Sequence, residues 1–126
     1  MSLGRLLTLS GSLEALVGIL TLLSPTTAVT LLFGGPVDTL TPVVTRLFGA
    51  GAFSLGLACL KARDAAATSA GLAVSLGMTS YNVLAAVLLL WAAAGLGLGG
   101  LLLLGTGIAH AVLGTLFVSS LMALKR

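Results

Sequence analysis

Glu14 stands in the middle of the apolar run LLTLSGSLEALVGILTLLS. Three other strongly polar residues, Arg46, Asn82 and His110, stand in similar surroundings. Carboxyl and imidazole groups are frequent carriers of protons in catalysis, so Glu14 and His110 are the candidate catalytic acid and base. A guanidinium or a carboxamide can orient an oxygen atom, the role open to Arg46 or Asn82. Tyr81, next to Asn82, adds a phenolic hydroxyl. Each of four apolar segments thus carries one strongly polar residue. A charge in hydrocarbon costs roughly 3 kcal/mol on insertion scales, so such residues turn toward one another rather than toward lipid. One per segment predicts a single polar cluster of Glu14, Arg46, Tyr81, Asn82 and His110.

The elements that must position these residues follow from composition. Of 126 residues, 58% are hydrophobic and 7% are charged. A soluble domain averages about 25% charged residues. Six cations and three anions cannot cover a soluble surface, and residues 65 to 124 contain no Asp, Glu, Lys or Arg. A spanning helix needs about 20 apolar residues, so two spans and a turn fit into that stretch alone. The fold predicted is all-α, a four-helix transmembrane bundle forming one domain over residues 1–126. Its helices are expected at about 3–23, 42–60, 66–93 and 101–124. Ser24-Pro25 ends the first. The segment TTAVTLLF after it is too short to span and reads as an interfacial helix or re-entrant elbow. Asp38 to Pro42 forms a turn into the second helix. GLGLGG, residues 95–100, lies between two membrane helices and is a turn, not a phosphate-binding loop.

The cations mark helix ends. Arg5, Lys61, Arg63, Lys125 and Arg126 all belong to one set of ends and the opposite loops hold none, which predicts a multi-pass protein of the inner (plasma) membrane with both termini cytoplasmic. This is not the clustered basic face of a nucleic-acid binder. The single Cys59 forms no disulfide within the chain and no cysteine metal cluster. No metal site and no cofactor is expected, because one His per chain offers a haem a single axial ligand.

Small residues recur on the same faces as the polar ones. Gly4, Gly11 and Gly18 are seven apart, with Glu14 three beyond Gly11. Arg46, Gly49, Phe53 and Gly56 share a face, as do Gly71, Ser75, Met78 and Asn82, and Gly107, His110 and Gly114. Membrane helices pack through such small residues. At 1.5 Å per residue Glu14 and His110 each lie about 15 Å from a membrane face, and Arg46 nearer the outer side. A Glu14–Arg46 pair would satisfy both charges and make them structural rather than chemical. Asn82 can equally be glue between helices, and Trp91 a boundary aromatic.

Over most of its length the chain resembles small bacterial four-helix membrane proteins with a DoxX-like plan. The stretches that carry the likeness are GSLEALVGILTLLSP, TRLFGAGAFSLGLACLKAR, SYNVLAAVLLLWAA and IAHAVLGTL. The resemblance implies a multipass inner-membrane protein of the kind linked to redox and quinone-associated systems, and it assigns no residue a role. Leu13 to Gly18 is also similar to the first helix of small multidrug-resistance exporters, which would imply proton-coupled exchange at Glu14. The third and fourth helices lack that pattern, Arg46 would neutralise the carboxylate, and the charge bias disfavours antiparallel dimers.

Three functions are compatible with these residues. The first is an accessory subunit of a larger membrane complex, or a homo-oligomer, that binds a lipophilic small molecule such as a quinone, lipid or pigment at the polar cluster. The second is an intramembrane acid–base enzyme, an isomerase or cyclase, using Glu14 and His110. The third is a proton-coupled exporter using Glu14. Contact between Glu14 and Arg46 separates them, since a neighbouring guanidinium opposes the use of the carboxyl as an acid.

Overall fold

A computed structural model describes residues 1–124; Lys125 and Arg126, which entered the charge count above, lie outside the described residues. The chain forms α1 (Leu3–Leu23), α2 (Pro25–Phe33), α3 (Thr41–Ala62), a 3-10 turn (Arg63–Ala65), α4 (Ser69–Gly95) and α5 (Leu103–Ala123). Helices α1, α3, α4 and α5 are long and apolar enough to cross a membrane. Their outer surfaces carry Leu16, Leu20, Leu47, Leu57, Leu84, Leu88, Leu104 and Ile108, all exposed. Water would not leave such a surface uncovered. The chain is a small multipass membrane protein, an all-α bundle of four spanning helices with a short elbow helix after the first.

The bundle is two hairpins. Helix α1 packs chiefly on α3, and α4 on α5; contacts between the pairs are much sparser. Glycine explains the first pair. A methyl group on Gly18 would lie 2.7 Å from the Gly49 carbonyl oxygen, one on Gly56 would lie 2.7 Å from that of Gly11, and one on Gly4 would lie 2.6 Å from that of Arg63. Gly4, Gly11 and Gly18 run up α1 at intervals of seven while Gly49, Gly56 and Arg63 run down the partner at the same interval. The two helices are therefore antiparallel and touch backbone to backbone at each repeat. The second pair is looser. Gly107 faces Leu90, and Gly114 faces Val83 and Asn82.

The hairpins join at both ends. At the end holding Arg5, Lys61 and Arg63, the buried side chains of Leu3, Leu6, Leu7, Cys59, Met78 and Phe117 make one core cluster. At the other end α2 bridges the pairs, with the Leu102 amide donating to the Leu31 carbonyl at 2.9 Å. Gly34 closes α2 at φ 74°, a left-handed conformation that glycine adopts without strain.

Four helix boundaries differ from those expected, the end of α4 (Gly95) and the start of α5 (Leu103) by two residues each. Helix α3 continues past Lys61 to Ala62 and runs on into the 3-10 turn, and α4 begins at Ser69 rather than Ala66. The Thr68 hydroxyl accepts from the Gly71 amide and so sets that start. Asp38 does the same for α3, its carboxylate accepting from the Leu40 and Thr41 amides. Those bonds, with one from the Thr41 hydroxyl, hold the Asp38 carboxyl below its ordinary range. A lowered value places this cap's contribution at neutral pH and removes it only as acid titrates the carboxylate.

Candidate functional site

Helix α1 brings Glu14 to the inside of the bundle, where it is 5% exposed. Gly11 and Gly18 flank it along the chain, and their contacts with α3 fix the rotation of α1 that buries the carboxyl. Tyr81 of α4 and Cys59 of α3 lie near the Glu14 carboxyl. The Tyr81 ring meets the His110 ring edge to face, with centroids 5.5 Å apart and planes at 85°. His110 Nδ1 lies 2.9 Å from Asn82 Oδ1.

Asn82 fixes the proton arrangement of this chain. It is fully buried, and its Nδ2 donates to the Met78 carbonyl at 2.8 Å. Its oxygen is therefore the atom facing His110, so Nδ1 of the imidazole carries the hydrogen and donates it. In the neutral ring this leaves Nε2 as the acceptor. Glu14, Tyr81, His110 and Asn82 thus stand near one another across α1, α4 and α5, joined by the ring contact and the Asn82–His110 bond. Among these atoms Glu14 Oε2 is buried with no hydrogen-bond partner.

Arg46 lies apart. Its Nε donates to the Leu22 carbonyl at 3.2 Å, and no ion pair joins it to Glu14 among the described residues, where the single such pair is Arg63–Asp64. The reason is local. The last four carbonyls of a helix have no intrahelical partner, and Leu22 is the penultimate residue of α1. A cation at that end also meets the negative pole of the helix. Arg46 thereby satisfies itself at the elbow. Glu14, Tyr81, Asn82 and His110 lie near one another, Arg46 does not, and no cation pairs with Glu14 among the described residues.

One residue of the site went unanticipated. Ser10, one turn before Glu14 on the same face of α1, is buried and its Oγ also has no partner. The only signal for it in the chain is the four-residue spacing. Among the described residues no three His, Cys, Asp or Glu side chains converge as a metal would require. Chemically, the site offers an unpartnered carboxyl oxygen, a phenol and an imidazole close together.

The Asn82–His110 bond is testable by itself. Buried bonds between membrane helices average about 0.6 kcal/mol and reach about 1.7. A cycle of Asn82→Ala, His110→Ala and the double variant is expected to give a coupling near 1 kcal/mol. Unfolding in mixed micelles measures it, and additivity of the two single changes would refute the bond.

Comparison with protein-family models, curated proteins and solved structures finds no match.

Proposed function

We propose that this protein binds a lipophilic small molecule through the cluster Glu14–Tyr81–His110–Asn82, as an accessory subunit or small binding module of the DoxX-like plan. The observation that carries the reading is the Glu14 carboxyl: buried and left with one oxygen unpartnered while Arg46 is engaged elsewhere. An unpaired buried polar atom costs about 1–3 kcal/mol, and a ligand's polar group offsets that cost. The ligand's apolar body needs only the hydrocarbon surroundings that the exposed leucines already share. The inner (plasma) membrane with both termini cytoplasmic belongs to the same proposal. It is supported by Arg5, Lys61 and Arg63 lying at the end of the bundle where Met1 and Ser120 also meet.

The test is retention of a small molecule through purification. Lipid extracts of the wild type in mild detergent are expected to contain a stoichiometric lipophile, and Tyr81→Phe to lower its occupancy several-fold without loss of helicity. Wild-type protein carrying nothing beyond bulk lipid would end the proposal. The separation of Glu14 from Arg46 favours a second reading, proton transfer within the membrane by Glu14 and His110. Conversion of the retained molecule, abolished by Glu14→Gln, would mark an acid–base enzyme. Proton-driven uptake into vesicles lost in the same variant would mark a transporter.

A further inference from the structure

Four hydroxyl residues on the spanning helices are buried: Ser10, Thr21, Ser75 and Thr79. Thr21 donates to the Val17 carbonyl, Ser75 to that of Gly71 and Thr79 to that of Ser75, each back onto its own helix. This is the ordinary solution for a hydroxyl in a helix. Ser10 departs from it: its Oγ makes no such bond and has no partner at all, although the side chain is 1% exposed. One turn along the same face, Glu14 Oε2 is in the same condition. Two buried, unpartnered oxygens thus stand one turn apart on the inward face of α1.

We infer that Ser10 and Glu14 form the seat for the ligand's head group, and that this head group is a hydroxyl on an apolar body. The inference rests on the proposed binding function and specifies its chemistry. A hydroxyl matches both atoms at once, donating its hydrogen to Glu14 Oε2 and accepting one from Ser10 Oγ–H. A carbonyl accepts from Ser10 but has no hydrogen to donate to Glu14 Oε2. An ether does the same, and a saturated chain satisfies neither. Tyr81 on α4, in the other hairpin, stands near Glu14.

The experiment uses a long-chain alcohol carrying a diazirine near its head group and the O-methyl ether of the same probe. Each is photolysed with the full chain in lipid nanodiscs, and the labelled peptides are mapped. The alcohol is expected to label residues around Ser10 and Tyr81 several-fold more than the ether does. Ser10→Ala and Glu14→Gln are each expected to abolish that preference with helicity unchanged. Equal labelling of the wild type by both probes overturns the inference, since water then satisfies the two oxygens as well. So does a preference that survives Ser10→Ala. If equal labelling still maps to Tyr81 and is lost in His110→Ala, the binding function stands and only the hydroxyl seat falls. If neither probe labels the interior above the lipid-facing leucines, both fall.

Discussion

Gly56→Ala is expected to destabilise the bundle by about 3 kcal/mol, the upper end of the usual cost of overpacking. The added methyl would lie 2.6 Å from the Ala15 amide nitrogen and 2.7 Å from the Gly11 carbonyl oxygen. Both obstacles are backbone, so no rotamer change relieves them and α1 itself must move away from α3. Movement at this repeat loosens its neighbours, because Gly18 and Gly49 hold the next one by the same close approach. Gly51, one turn away on α3, provides the control: a methyl there meets nothing within 4 Å, and Gly51→Ala is expected to leave stability unchanged or slightly raised. Loss of helicity against denaturant in micelles separates the two. Equal midpoints would show that the glycine seam does not hold the hairpin.

Phe117→Ala is expected to cost about 3 kcal/mol, the lower part of the range for removing a buried aromatic ring. Lipid is as apolar as the ring, so transfer out of water supplies none of this figure. The loss is dispersion contact, which a cavity forfeits. Phe117 is fully buried in the cluster where α1, α3, α4 and α5 all contribute, with Leu6, Leu7, Cys59 and Met78. Its removal therefore weakens the joint between hairpins more than either hairpin itself. The matching readout is greater protease access at the Arg63–Asp64 turn in micelles while helicity is retained. A Phe117→Leu variant is expected to recover most of the loss, and identical behaviour of the two variants would argue against packing as the cause.

Much of this architecture was legible in the residues because it depends on composition and period. The absence of charge over residues 65–124 leaves only spanning helices as a solution, and Gly4, Gly11 and Gly18 announce a contact face before any partner is known. The partner itself was not legible: that α1 chooses α3 depends on Gly49 and Gly56 falling in antiparallel register with them. The start of α4 was displaced because a hydroxyl, that of Thr68, and not a change of hydropathy decides it. At the site, Glu14, Tyr81, Asn82 and His110 were recognisable because each is costly in hydrocarbon. Arg46 is equally costly, yet its partner is a backbone carbonyl freed by the end of a helix, and carbonyls leave no mark in a sequence. Ser10 escaped notice for the opposite reason. A serine in a helix usually satisfies itself, and only coordinates reveal one that does not.

The pairing of α1 with α3 also has a temporal side. That hairpin is complete once Ala62 has been added, whereas Tyr81 and His110 follow 19 and 48 residues later. At 5–20 residues per second the ribosome reaches them after about 1–4 s and about 2–10 s. For that interval every newly inserted molecule carries a carboxyl in the bilayer with Tyr81 and His110 absent. Pausing translation between the two hairpins prolongs that exposure, and speeding it shortens the time in which the insertion machinery must shelter Glu14.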